Sequence, residues 1–211
     1  MADTLDVLTI AEARKAVGIG DTDTSHDTEL AAKVTAVSRL LDEVCGPVVR
    51  RTITDEVHPG GTPVVWVRHP PVAAWITVTE YNATVAQVLT AETFDTQPAH
   101  AYVADRWPTA TANYTGRLHR RTAGTPAAFP AGPEAVKVTY VSGRYTDTAS
   151  VDSRFKEAAG VMLKNAWRPL EVSVASFGEF DVPAQNFPRF GIPNFVPDTL
   201  RAEWLDGPVV G

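Results

Sequence analysis

The hydrophobic period of this chain switches twice, and that double switch constrains the fold more than any other feature. In "TELAAKVTAVSRLLDEVCGP", Leu30, Val34, Val37, Leu41 and Val44 recur at spacings of four and three, the stripe of an amphipathic helix. From Val48 onward the apolar residues alternate instead, as in "VAAWITVTEYN" and "AVKVTYVSGRY", which is the period of strands. At "DSRFKEAAGVMLKNAW" the helical period returns, with Phe155, Ala159, Met162 and Ala166 on one face, broadened by Leu163 and Trp167. A chain patterned this way predicts an α+β fold: a small helical bundle with a mostly antiparallel β insertion and an extended irregular C-terminal arm. The boundaries read as 1–47 for the N-terminal helices and 48–145 for the β-rich insertion. The helix completing the bundle takes 146–170 and the arm 171–211, all within one structural domain.

Local punctuation sharpens the boundaries. Thr9 and Glu12 in "LTIAEARKAVGIG" have capping-box spacing, and Gly18 and Gly20 close that short helix. Gly46 and Pro47 stop the next one, with Cys45 beside its apolar stripe. "HPGG" between "VVRRTITDEV" and "TPVVWVRH" predicts a hairpin. Asp152 is placed to cap the last helix, and Pro169 is expected just past its end.

After Leu170 no period survives. "QNFPRFGIPNFVPDTLRAEWL" combines Pro188, Pro193 and Pro197 with Phe187, Phe190, Ile192, Phe195, Val196, Leu200, Trp204 and Leu205. Prolines at this density forbid a helix or a central strand. Burying those apolar side chains returns less free energy than ordering the backbone costs, so the segment needs a surface already formed. We read it as an arm for inter-subunit or partner contact, caught pocket by pocket on a neighbouring subunit or the next ring of an assembly. Packing on its own subunit is the plainer alternative.

Charge and chemistry narrow the function. The net charge of −6 argues against a protein whose main work is gripping nucleic acid, which needs a basic excess. The single cysteine excludes an intramolecular disulfide and a cysteine-based zinc site. No apolar run approaches a membrane span, and "MADTLDVLTIAEARK" carries acids where a secretion signal would be basic, so synthesis in the cytoplasm without a membrane partner is expected. His26, His58, His69, His100 and His119 form no metal-ligand pair, and no nucleophile elbow, P-loop or dinucleotide fingerprint is present. We therefore expect no catalytic residues, no metal and no cofactor. "RLHRR" at Arg117–Arg121 reads as a solvated strand with its charges outward, and Trp66, Trp75 and Trp107 as core filling.

The order of these segments resembles the head–tail connector, or adaptor (head-completion), proteins of long-tailed bacteriophages. The likeness rests on the capped helix "LTIAEARKAVGI", a longer helix ending "LLDEVCGPVVRRT", the Pro-led strand "HPPVAAWITVTEY", and "VKVTYVSGRY" feeding the helix "VDSRFKEAAGVMLKNAW". It covers residues 5 to about 168, with a weaker match at "IPNFVPDTLRAEWL". The resemblance implies a structural virion protein at the head–tail junction: a homo-oligomeric, dodecameric ring beneath the portal protein. Such a ring extends the DNA channel and docks a downstream neck or tail-completion protein, while DNA passes through without specific binding. On this reading the acids of the second helix, Glu29, Asp42 and Glu43, are candidates for the channel side, where basic walls would hold DNA back. The competing reading is a β-rich binding module of a phage tail, for carbohydrate or receptor, which requires the tryptophans exposed together on one sheet face.

Overall fold

The computed structural model describes residues 3–106 and 114–172, the last few of these by backbone alone. The fold is α+β. The chain forms two compact units: Arg50–Thr146, and the segments on either side of it, up to Val49 and from Asp147.

The flanking segments build a helical unit of α1 (Ile10–Val17), α2 (Asp27–Cys45) and α3 (Ser153–Val172), each packed on the other two. The Thr9–Glu12 capping box forms as the spacing predicts: Thr9 Oγ1 accepts the Glu12 N–H at 3.2 Å, and Glu12 Oε2 accepts the Thr9 N–H at 2.8 Å. Gly18, in the left-handed region at φ 83°, closes α1. Leu30, Val34, Val37 and Leu41 of α2 are fully buried, as are Phe155, Ala159 and Leu163 of α3, the helix packed on it, with Met162 and Trp167 nearly so. The α2 stripe ends differently from its sequence pattern, with Cys45 buried and Val44 only half-buried. Polar links tie the unit together. Arg14 grips Asp27 through Nε and Nη2 at 2.8 and 2.5 Å, Lys156 reaches Glu12 at 2.7 Å, and the Val7 N–H donates to Ser38 Oγ at 3.0 Å. Burial pushes the Glu12 carboxyl up, but hydrogen bonds from Lys156 and Thr9 outweigh it and hold the group below the usual carboxylate range.

Asp152 caps α3 by accepting the Arg154 N–H at 2.8 Å. The helix does not stop before Pro169, however; it runs on to Val172. Proline already has a helical φ, so its cost is one missing donor and crowding of the preceding turn, which a helix survives when packing favours continuing.

The other unit is an eight-stranded sheet in the order β1 (Arg51–His58), β8 (Val136–Ser142), β3 (Val72–Asn82), β4 (Val85–Ala91), β5 (Ala101–Arg106), β6 (Tyr114–Thr122) and β2 (Val64–Trp66), with β7 (Thr125–Pro126) paired to β6. Every pairing is antiparallel except β4 with β5. Because β6 also touches β3 at Val72–Tyr114, the sheet curls around its own core. Val78, Leu89, Leu118, Phe129, Val136, Val138 and Tyr140 fill that core.

The hairpin expected around "HPGG" does not form. β1 pairs with β8 and β2 with β6, at opposite ends of the sheet order. The glycines serve a crossing instead of a tight turn. The Gly60 N–H donates to the Gly132 carbonyl at 2.9 Å and the Gly61 N–H to Phe129 at 3.1 Å. A Cβ on Gly60 would lie 1.9 Å from the Pro130 carbonyl oxygen, so only glycine allows this approach.

Candidate assembly surfaces

Two buried carboxylates of the β-rich unit, Glu80 and Glu56, are engaged in holding the sheet. Arg120 and Glu80 form a buried bidentate pair at 2.7 and 2.8 Å, and Arg120 also donates to the Ala101 carbonyl, Thr122 Oγ1 and the Arg121 carbonyl. Alternation along β6 puts Leu118 and Arg120 inside the curl, each flanked by more exposed neighbours. This corrects the outward, solvated reading of "RLHRR". Arg117 pairs with Asp105 at 3.4 Å, His119 with the same carboxylate at 3.1 Å, and Arg121 with Glu92 at 3.2 Å. The cluster is thus neutralised within the unit and does not stand as a bare phosphate-binding row.

Glu56 is a second buried carboxylate. It accepts the Tyr140 hydroxyl at 2.7 Å and the Arg68 N–H at 2.8 Å, and His58 Nε2 lies 2.7 Å away. Burial, and then the hydrogen bond to Glu56, push the Tyr140 phenol far up. For His58 burial lowers the imidazole and wins over the neighbouring Glu56, which acts the other way. A bulge at Asp55, φ 54°, turns its own side chain outward and leaves Glu56 inward. The two adjacent acids therefore cannot act as a pair. Among the described residues, no three His, Cys, Asp or Glu side chains come together in a way that would hold a metal ion. Cys45 is buried in the helical core.

Among the described residues, the tryptophans do not make a platform. Trp75 is packed edge-on among Tyr102 and Tyr114, and tilted against Tyr140, inside the sheet. Trp66 is exposed by itself, with the Arg117 guanidinium 4.5 Å from its ring centroid. Trp107 lies outside the described residues.

Of the acids proposed for a channel side, Glu29 and Glu43 are exposed on α2, fourteen positions apart, which is close to a whole number of turns and puts them on one face. Asp42 faces elsewhere and accepts the Val48 N–H at 2.9 Å, fastening the chain as it leaves the helix. Phe187, Phe190, Ile192, Phe195, Val196, Leu200, Trp204 and Leu205 lie outside the described residues.

Among the described residues, the large apolar side chains left exposed besides Trp66 belong to the β3–β4 region and the loop after it. Ile76, Val85 and Val88 are more than half exposed, and Phe94 is fully so at 104%. Phe94 lies past β4, which ends at Ala91. The usable signal was a lone aromatic between "ET" and "DT", the composition of a turn.

With this geometry in place, the fold has a counterpart. The chain is similar to a chain in the neck of an empty GTA particle, in a structure computed with C6 symmetry. The TM-score is 0.52 at 16% identity, across 93% of this chain and 89% of that one. No family model matches the sequence. No curated protein sequence matches it either.

Proposed function

We propose that this protein is a structural component of a virion neck: it forms a ring at the portal vertex that joins head to tail and extends the DNA channel. The observation carrying this reading is the shared fold, over nearly the whole length of both chains, with a chain in the neck of a GTA particle. The segment order that resembles the connector proteins points the same way. The internal pairing of Glu80, Arg120, Glu56 and Arg121 supports a role made of surfaces and not of reactive groups. Within the ring, the acids Glu29 and Glu43 take the channel side, and the arm of Phe187 to Leu205 crosses to a neighbouring subunit or docks on the next neck protein.

A ring needs two different surfaces on each copy, meeting head to tail and closing by rotation. The test is truncation after Pro183. The shortened protein should keep its circular dichroism and melting temperature yet fail to enter isolated head–tail junctions. Truncated protein that assembles normally would remove the arm from the interface. Full-length protein that neither forms rings nor joins a portal preparation would remove the neck role itself.

A further inference from the structure

We propose that Phe94 is a knob that seats in the hollow beside Ala131 and Tyr81 of a second copy of this chain, forming a head-to-tail contact within the β-rich unit. The inference rests on the ring reading above and goes beyond it by naming both halves of one interface.

The backbone that carries the knob is held by hydrogen bonds. The Thr93 N–H donates to the Thr96 carbonyl at 3.0 Å and the Thr96 N–H back to Thr93 at 3.4 Å, closing a small turn with Phe94 at its tip. Its ends are fastened to neighbouring strands. The Glu92 N–H donates to the Tyr102 carbonyl at 2.8 Å, Arg121 holds the Glu92 carboxylate, and the Ala123 N–H donates to the Pro98 carbonyl at 2.9 Å. Gly124 lies directly under Gln97; a Cβ there would come within 2.4 Å of Gln97 Oε1. A fully exposed aromatic on a pre-ordered turn loses little entropy on docking, which is what makes an anchor effective.

The hollow is on the same unit. It is an open cavity of about 530 Å³ lined by Val57, Tyr81, Ala83, Ala131, Pro133 and Ala135, roomy enough for a phenyl ring and predominantly apolar. Two charged residues also line it, Glu134 and Lys137. The Lys137 ammonium stands 3.5 Å from Asp55 and 5.9 Å from the Tyr81 ring centroid, where it can meet the exposed Asp95 that follows Phe94. Glu134 and Asp55 both carry the charge of Asp95, so its approach is confined to the side of the ammonium that neither acid covers.

The placement selects a second copy as the occupant. β4 runs between the two features: Val85 pairs with Asn82 beside Ala83 of the hollow, and Ala91 leads into the Phe94 turn. Its seven residues separate them by about 20 Å at about 3.3 Å per residue. The turn is tethered at both ends, so Phe94 cannot fold back into its own hollow. Knob and hollow are different surfaces, so one copy can offer Phe94 to one neighbour and its hollow to the other, the geometry a closed ring requires. Val88 lies between them on the Tyr81 side of the sheet and extends the apolar strip.

The experiment uses the full chain in assembled necks. Cys45 is buried and does not compete, so a Phe94→Cys/Ala131→Cys chain should give a ladder of disulfide-linked multimers on mild oxidation, and either single variant none. Phe94→Asp should leave the melting temperature unchanged and weaken ring formation about tenfold to a hundredfold per contact, the value of one buried aromatic side chain. Phe94→Asp rings forming as readily as those of the unmodified chain would overturn the contact and leave the neck role standing. Phe94→Cys chains cross-linking to each other would overturn it in favour of a two-fold contact. An unmodified chain that enters no ring at all would overturn both.

Discussion

Arg120→Met is the most informative single perturbation of the β-rich unit. The guanidinium and the Glu80 carboxylate are each over nine-tenths buried and joined by two hydrogen bonds at 2.7 and 2.8 Å. Methionine fills most of the same volume, so the loss is electrostatic and not a cavity. It leaves Glu80 as a buried carboxylate without its partner, and removes the Arg120 hydrogen bonds to the Ala101 carbonyl and the Thr122 hydroxyl. Removing one member of a buried pair costs about 3–5 kcal/mol, a large part of the roughly 5–15 kcal/mol that stabilises an ordinary domain. Removing both should cost far less: Arg120→Met/Glu80→Leu is expected within about 2 kcal/mol of the unmodified protein, because the desolvation of two charges vanishes with their attraction. Native-state hydrogen exchange at the Val138 and Leu118 amides, deep in the same core, reads the stability of this unit directly. A coupling energy between the two substitutions near zero, or a single-variant cost below about 1 kcal/mol, would refute the reasoning and mean that water reaches the pair.

Leu41→Asp should unfold the helical unit, since Leu41 is fully buried and an unpaired carboxylate there costs several kcal/mol; circular dichroism showing native helix content would contradict this. The contribution of His58 to the stability of the β-rich unit should be complete above about pH 6.5, the usual histidine value, and decline as pH falls below it, because burial lowers His58 in the fold and the unfolded chain takes up the proton first. Hydrogen exchange at the Val138 amide as a function of pH should show that slope, and His58→Gln should flatten it.

Some of this protein was legible in its residues alone. The helices follow from a period that only a helix can satisfy. Leu30, Val34, Val37 and Leu41 are buried because that spacing puts them on one side whatever they pack against. The Thr9–Glu12 box and the Asp152 cap are contacts within a few residues, so the sequence determines them without help from the rest of the fold. The strands, too, lie where alternation placed them, from Val72 to Asn82 and from Val136 to Ser142. Which strand pairs with which is another matter. "HPGG" has the composition of a hairpin, yet the chain between β1 and β2 crosses the unit, and the decision rests on Gly60 fitting against Pro130, a residue far along the chain. Likewise Arg120 reads as one basic residue among several until the curl of the sheet puts Glu80 opposite it. Phe94 is one more apolar residue in the sequence until Thr93 and Thr96 close on each other and leave the ring in solvent. Local spacing determines which element a residue joins and which of its faces is apolar. Only tertiary structure decides what that face meets, because desolvation and pairing depend on groups that sequence distance does not relate.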